Sequence, residues 1–200
     1  CGDSTLWKPS ISVPLCRIAI THIAEKVCRA NDVNPAIFSL SVGKGSVVGE
    51  KLLRDKRIPL VSFTGSTNMG TRVAEVVGKR LGRTILELGG NNAIIISDKA
   101  DMTGALASAF FGAVGTAGQR CTTTRRLFVP RSMVDQVSGL LVDAYRQVRI
   151  GDPLDANTLM GPLVDARAVQ DFEDAVEKIK AAGGEILTGG KPVDGAGFFV

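Results

Sequence analysis

Residues 58–70 have the sequence Ile58-Pro-Leu-Val-Ser-Phe-Thr-Gly-Ser-Thr-Asn-Met-Gly70, an apolar run followed by a glycine-bounded turn. The apolar run predicts a strand over residues 58–64. Beyond the turn, valines recur at helical spacing, which predicts a helix over residues 67–81. Its predicted inward side chains are Val73, Val76, Val77 and Leu81. A strand that turns at glycine into a helix is the repeating unit of a parallel sheet covered by helices.

The same pattern extends over the rest of the chain. Apolar runs predict further strands over residues 36–42, 84–88, 92–97, 122–129 and 185–188. Amphipathic periodicity predicts helices over residues 12–30, 46–55, 102–114, 132–148 and 166–182. Strands that alternate with helices in this way predict an α/β fold with parallel sheets.

Composition excludes several classes of protein. The 200 residues are 44% apolar and 22% charged, as in an ordinary globular chain, and no apolar run is long enough to cross a membrane. The formal charge of +4 is scattered, which does not favour nucleic-acid binding. Only one histidine, His22, is present, which argues against Ser–His–Asp catalysis and against a metal site. A chain that opens on Cys1 rather than Met suggests an internal fragment of a longer protein.

The four cysteines are Cys1, Cys16, Cys28 and Cys121, and no Cys-x-x-Cys pair occurs among them. This usage predicts a reducing, intracellular compartment. We expect the cytoplasm, or the mitochondrial matrix in a eukaryote. Cys16 and Cys28 fall on the apolar face of the first predicted helix and are therefore expected in the core as small hydrophobic residues.

Two glycine-rich turns are candidates for holding a phosphate. Gly43-Lys-Gly-Ser-Val-Val-Gly49 is similar to a dinucleotide fingerprint but has one residue too many before its last glycine, so a plain strand-to-helix turn is equally compatible. Gly65-Ser-Thr-Asn-Met-Gly70 opens a predicted helix, whose free N–H groups favour an anion. Ser66 or Thr67 is alternatively no more than a helix cap.

Two further motifs carry groups that suit covalent catalysis. Gly118-Gln-Arg-Cys121-Thr-Thr-Thr places a cysteine beside Arg120, a cation that favours the reactive thiolate. Glu87-Leu-Gly-Gly90 places a carboxylate at a strand end beside two glycines. Each residue alone is as readily an inert cysteine or a solvated charge. Together they favour a cysteine nucleophile and a carboxylate base.

The ordered motifs resemble the aldehyde dehydrogenase superfamily. They are Trp7-Lys8-Pro9-Ser10, Phe63-Thr-Gly-Ser-Thr67, Glu87-Leu-Gly-Gly90 and Gly118-Gln-Arg-Cys121, with a spacing of 34 residues from glutamate to cysteine. Glu87-Leu-Gly-Gly-Asn-Asn-Ala93 and Gly115-Thr-Ala-Gly-Gln-Arg-Cys-Thr-Thr-Thr-Arg-Arg126 are similar to its antiquitin-like branch, the α-aminoadipic semialdehyde dehydrogenases of lysine catabolism. The resemblance covers essentially the whole chain, which would be a central portion of a full-length subunit.

The resemblance implies part of a Rossmann-like NAD(P)-binding domain over residues 1–86 and part of an α/β catalytic domain over residues 87–200. Cys121 would attack the aldehyde to give a thiohemiacetal, hydride would leave for the nicotinamide, and Glu87 would activate the water that hydrolyses the thioester. The N–H of Cys121 would supply half of an oxyanion hole. The implied cofactor contacts are Lys8 (adenosine ribose), Ser66 (diphosphate), Gly49, Gly65, Thr67, Gly70 and Leu88.

The resemblance also bears on specificity and assembly. The branch acts on a semialdehyde with an amino acid head group, for which Arg120 and Thr122 are candidate contacts. Arg120 alternatively only lowers the thiol pKa or pairs with a structural carboxylate. Ile11 stands where the family often has an acidic residue, so repulsion of a 2′-phosphate is weaker. NAD is the expected cofactor, with NADP accepted as an alternative. The oligomerisation strand of the family is absent from these residues, and a homotetramer is expected of the full-length protein.

Four alternatives stay open. Coenzyme A-acylating dehydrogenases also use the cysteine but typically lack the base that Glu87 would supply. A crystallin-like structural protein would be expected to lose Cys121 or Glu87, and both are present. The remaining two alternatives are an inactive fragment and a dehydrogenase for a different semialdehyde.

Overall fold

The computed structural model describes residues 3–200. The chain divides into two compact units, Cys1–Leu88 and Gly89–Val200. The first unit ends at Leu88, and the domain boundary that the family resemblance implies lies after residue 86. The assignment of the two units to cofactor binding and catalysis stays a prediction.

The first unit contains two pairs of parallel strands with helices between them. The strands are β1 (Thr5–Trp7), β2 (Phe38–Leu40), β3 (Leu60–Gly65) and β4 (Arg83–Leu88), and the helices are α1 (Pro14–Ala30), α2 (Glu50–Arg54) and α3 (Thr67–Lys79). Strand β1 pairs with β2, and β3 pairs with β4. A short π-helical turn over Gly45–Gly49 leads into α2. The predicted parallel α/β arrangement is confirmed.

The core of this unit lies between α3 and the β3–β4 pair. Val73 and Val77 of α3 are 1% and 0% exposed and pack with Leu53 of α2. Phe63 and Leu86 of the two strands pack against them. The valine spacing thus predicts the buried face of α3 correctly.

Leu81 is a correction to that face, because it is 94% exposed. Helix α3 ends at Lys79, and Leu81 has a φ of 59° in the turn that leads into β4. The left-handed backbone breaks the helical period, so the side chain no longer follows the valines inward.

Helix α1 departs from expectation in a similar way. Cys28 is buried as predicted, but Cys16 is exposed, as are Ile23 and Val27 of the same apolar stripe. Helix α1 lies mainly against β2 and the short helical turn that precedes β2, and its Arg17 lies over the Trp7 ring of β1. Strands of three residues cannot cover a helix of 17 residues, so most of its apolar face stays uncovered within residues 3–200.

The second unit is built on one parallel pair, β5 (Asn92–Ile95) and β6 (Thr124–Phe128). Its helices are α4 (Met102–Val114), α5 (Val134–Arg146) and α6 (Ala166–Ala181). Asp101 and Asp165 cap α4 and α6 by accepting hydrogen bonds from first-turn N–H groups. Helices α4 and α5 meet at an edge-to-face contact of Phe110 and Tyr145, with ring centroids 5.6 Å apart. Partial burial there raises the pKa of the Tyr145 phenol.

One predicted strand is absent, and one observed strand was not predicted. Residues 185–188 form no strand, because no strand of residues 3–200 lies beside them to pair with them through backbone hydrogen bonds. Strand β1 was not predicted, since three residues are too few to show a period. Within residues 3–200 no helix is both long enough and apolar enough to cross a membrane.

Candidate active site

The carboxyl ends of β1 and β2 bring Lys8 to the first glycine-rich turn. The Lys8 ammonium donates to the carbonyl oxygens of Pro9 and Gly43, the second at 3.4 Å. A Cβ on Gly49 would lie 3.8 Å from Lys8 Cδ, so the lysine stem runs along this turn. Ligands of open α/β sheets bind at the carboxyl ends of strands, which is where the structure places Lys8 and Gly49.

The second glycine-rich turn joins β3 to α3. Gly65 ends the strand, and a Cβ there would lie 2.5 Å from Phe63 Cζ. Ser66 is the helix cap, and its Oγ accepts from the N–H of Met69 at 3.3 Å. The other N–H groups of the first turn, which begins at exposed Thr67, have no acceptor inside the helix. The turn therefore combines the cap that the sequence left as an alternative with donors that suit a phosphate.

Gly70 and Leu88, two further predicted cofactor contacts, touch each other. A Cβ on Gly70 would come within 2.7 Å of Leu88 Cδ1 and 3.1 Å of its Cγ. The absence of a side chain at Gly70 thus allows α3 to lie close to β4. This contact gives both residues a packing role, and their contact with a cofactor stays a prediction.

These positions fit a dinucleotide in charge and in hydrogen-bonding capacity. Lys8 supplies a cation, and the start of α3 at Ser66 supplies N–H donors and the positive end of a helix dipole. Both lie at carboxyl ends of strands in the first unit. An anionic diphosphate linked to ribose matches such donors.

Glu87 lies in β4 opposite Thr64 of β3. The side chains of β4 alternate, so that Leu86 packs into the core while Glu87 is exposed. Within residues 3–200 Glu87 forms no ion pair. A solvated, unpaired carboxylate can accept a proton from water. Glu87 belongs to the first unit and Cys121 to the second.

Cys121 occupies a central position of a tight turn. Thr123 N–H donates to the Arg120 carbonyl oxygen at 3.1 Å, and Arg120 N–H donates to Thr123 Oγ at 3.1 Å. This reciprocal pair closes a β-turn with Cys121 and Thr122 in the middle, both exposed. No acceptor for the Cys121 N–H occurs in residues 3–200. The turn therefore presents a thiol and a free backbone donor to solvent.

The backbone before this turn is strained. Thr116, Ala117 and Gly118 have φ values of 57°, 50° and 69°, which are left-handed, and only the glycine adopts them without cost. Gln119, the next residue, anchors this segment to a distant part of the chain. Its Nε2 donates to the carbonyl oxygens of Thr116 (3.1 Å) and Pro162 (3.3 Å), and its Oε1 accepts from Val164 N–H at 2.9 Å. Strained backbone kept in place by long-range bonds is typical of functional sites.

Arg120 turns towards α4. Its Nη2 donates to the Phe111 carbonyl oxygen at 3.3 Å, and the guanidinium lies 5.1 Å from the centre of the Phe111 ring. Its Nε is buried without an acceptor among the described residues. Arg120 forms no ion pair within residues 3–200, so the alternative of a structural carboxylate partner finds no support. A substrate role for Arg120 and Thr122 stays a prediction.

Three polar residues around the nucleophile were missed by the sequence reasoning. Thr123, 5% exposed, closes the turn, and Gln119 fastens the segment before it. Asn92 Nδ2 donates to the carbonyl oxygens of Cys121 (2.6 Å) and Thr123 (3.0 Å). The hydrogen bonds of Asn92 and Gln119 join residues that are 29 to 45 positions apart, so no local sequence pattern predicts them. No group of histidine, cysteine and acidic residues within residues 3–200 could hold a metal ion.

Comparisons with known proteins agree with this arrangement. The sequence profile of the aldehyde dehydrogenase family matches residues 1–200. Alpha-aminoadipic semialdehyde dehydrogenase of Bos taurus is 48% identical over 200 residues, which are 100% of this chain and 37% of that protein. Betaine aldehyde dehydrogenase from Staphylococcus aureus, solved with NAD+, is similar at a TM-score of 0.91 and 32% identity, over 98% of this chain and 39% of that one.

Glyceraldehyde-3-phosphate dehydrogenase from Methanocaldococcus jannaschii, solved with NADP, has a TM-score of 0.91 and 31% identity, over 97% of this chain and 42% of that one. The chain thus spans roughly two-fifths of the length of these relatives.

Proposed function

Since this chain belongs to the aldehyde dehydrogenase family, we propose that it carries the nucleophile, the general base and part of the NAD(P) site of an enzyme that oxidises an aldehyde to a carboxylic acid. The single observation that carries the proposal is the Cys121 turn. The turn exposes a thiol next to a backbone N–H that has no acceptor within residues 3–200. Buried Thr123 holds the turn closed by its hydrogen bonds with Arg120.

Cys121 begins the reaction as the nucleophile, and the reactive form of a cysteine is its thiolate. Its sulfur adds to the carbonyl carbon of the aldehyde, and the carbonyl oxygen becomes an oxyanion in the thiohemiacetal. The Cys121 N–H can donate to that oxygen, because no described residue competes for it. Bound NAD(P) supplies the acceptor for the hydride that leaves the same carbon. The acyl group then remains on Cys121 as a thioester.

Glu87 acts in the second half of the reaction. Its exposed carboxylate takes a proton from a water molecule, whose oxygen attacks the thioester carbonyl. The carbon–sulfur bond breaks, the carboxylic acid leaves, and the Cys121 thiolate is restored. This carboxylate favours transfer of the acyl group to water over transfer to coenzyme A.

The cofactor is proposed to lie along Lys8 and the start of α3. Lys8 approaches the adenosine ribose and Ser66 the diphosphate, consistent with their places at the ends of β1 and β3. Ile11 offers no acceptor for the ribose hydroxyls and no charge to repel a 2′-phosphate. We therefore expect NAD to be used and NADP to be accepted as well.

The proposed substrate is α-aminoadipic semialdehyde. The bovine relative bears the name of that activity, and its identity extends over this whole chain. A different semialdehyde dehydrogenase of the family is the alternative. The intact subunit is proposed to form an oligomer, with a tetramer as the expected state.

Aldehyde-dependent formation of NADH or NADPH by the intact protein tests the proposal. Cys121→Ala should abolish turnover while the thermal transition stays in place, because the exposed thiol makes little packing contact. Cys16→Ala, a change at an exposed cysteine of α1, is the matched control and should retain full activity. Turnover by Cys121→Ala close to wild type would remove Cys121 as the nucleophile.

A further inference from the structure

We infer that Asn92 is a positioning residue for the Cys121 nucleophile, and that position 90 is a glycine because the Asn92 amide occupies the space beside it. The inference rests on the proposed function. Asn92 begins β5, and its Nδ2 reaches the carbonyl oxygens of Cys121 at 2.6 Å and Thr123 at 3.0 Å. Both hydrogens of the amide are used by the nucleophile turn.

The sheet itself aims Asn92 at the turn. Asn92 is opposite Thr124, but the next residue, Ala93, is opposite Arg126, so the register shifts between them. An irregularity of this kind redirects a side chain and is frequent beside active sites. Arg126 secures the neighbouring backbone, because its guanidinium donates to the Asn91 carbonyl oxygen at 2.7 and 3.1 Å.

The bonds fix both peptide planes on either side of Cys121. The bond from Thr123 N–H to the Arg120 carbonyl holds the plane that contains the Cys121 N–H. The bond from Asn92 to the Cys121 carbonyl holds the following plane. With both planes held, the Cys121 backbone cannot rotate, and the directions of its N–H and of its Cα–Cβ bond are set together. Asn92 therefore positions the thiol and the oxyanion donor without touching substrate.

Gly90 connects this contact to the Glu87-Leu-Gly-Gly90 motif. A Cβ on Gly90 would lie 2.8 Å from Asn92 Oδ1, which is closer than a carbon and an oxygen can approach without a shift. A side chain at Gly90 would therefore push the amide away from the turn. Glycine is thus needed at position 90 because the Asn92 side chain lies beside it, and not because of the backbone conformation of Gly90 itself.

Asn92→Asp in the intact protein is the direct test. Aspartate keeps the shape of asparagine but loses both donors, and its charge repels the two carbonyl oxygens. Asn31→Asp is the matched control. The Asn31 amide also donates to a backbone carbonyl, that of Val27 at 2.8 Å, but at the exposed end of α1. Gly90→Ala disturbs the same contact while Asn92 stays intact, and its control is Gly139→Ala in α5, where a Cβ would meet no atom within 4 Å.

The two test variants should lose about 10²-fold in kcat for aldehyde oxidation, the typical cost of a displaced reacting group, with KM and NAD affinity little changed. The rate at which iodoacetamide alkylates Cys121, measured on the peptide that contains this residue, should change far less, because alkylation forms no oxyanion. The controls should match wild type in all assays. This split between oxidation and alkylation would not arise from a purely structural role.

Two results would overturn the inference. One is a kcat of Asn92→Asp within about twofold of wild type. The other is a parallel fall of oxidation, alkylation and thermal stability, which would assign Asn92 to folding alone. If wild type itself oxidises no aldehyde while Cys121 is alkylated normally, the proposed function fails instead, so the two failures are distinguishable.

Discussion

Two glycines of the same helix should respond in opposite directions to alanine. Gly70 and Gly78 both lie in α3, so a change to alanine favours the helix by up to about 1 kcal/mol at either position. A Cβ at Gly78 would meet no atom within 4 Å. A Cβ at Gly70 would lie 2.7 Å from Leu88 Cδ1 and 3.1 Å from Leu88 Cγ, so the Leu88 side chain, α3 or β4 must shift to admit it.

The difference between the two variants isolates this contact. Overpacking of a filled site costs about 1–3 kcal/mol, and the gain in helix propensity is shared by both changes. The free energy of unfolding of Gly70→Ala should therefore lie about 1–3 kcal/mol below that of Gly78→Ala. Gly78→Ala should equal or exceed wild type, and Gly70→Ala should fall below it.

Urea denaturation of the intact variants, followed by circular dichroism, measures the difference. Gly70→Ala combined with Leu88→Ala adds a check, because the smaller side chain removes the overlap and the two changes should be less destabilising together than their sum. If Gly70→Ala is as stable as Gly78→Ala, helix α3 does not lie against Leu88 as described. The closeness of α3 to β4, and with it the reason for a glycine at position 70, would then be refuted.

Three further predictions concern Glu87, Arg120 and Tyr145. Glu87→Gln should slow thioester hydrolysis by about 10²–10⁴-fold, so NADH should appear in a burst before a slow steady state; an unchanged steady-state rate would mean that another group activates the water. Arg120→Ala should cost about 2–4 kcal/mol in kcat/KM for α-aminoadipic semialdehyde but spare an uncharged aldehyde of similar length, whereas equal losses would leave Arg120 only its contact with α4. Burial raises the pKa of Tyr145 in the folded state, because the buried phenol favours its neutral form. The resulting contribution to the free energy of unfolding is therefore complete below the unfolded pKa of 10.0 and is lost as the pH rises through the folded pKa. Tyr145→Phe should remove that alkaline loss, and an unchanged alkaline profile of thermal stability would contradict this.

Local pattern was sufficient for most elements of the fold. The valine spacing of α3, the glycine turn before it and the apolar run of β3 agree with the structure because each depends on residues within one or two turns of chain. Prediction failed where a distant partner decides. Cys16 is exposed and residues 185–188 form no strand, since the described chain places no surface against the first and no strand beside the second.

The α/β alternation, the family and the candidate pair Cys121 and Glu87 could be inferred from the order of the residues alone, because motif spacing is a property of the chain. How Cys121 is held could not be inferred in this way, because it depends on residues that only folding brings together. The Asn92 amide reaches the nucleophile turn from 29 residues away, and the Gln119 amide ties the same segment to Pro162 and Val164, 43 and 45 residues further along the chain, through hydrogen bonds. Such a bond leaves no period or composition in the sequence, since an amide that fastens a turn and an amide that faces water are the same residue until the backbone brings an acceptor to it.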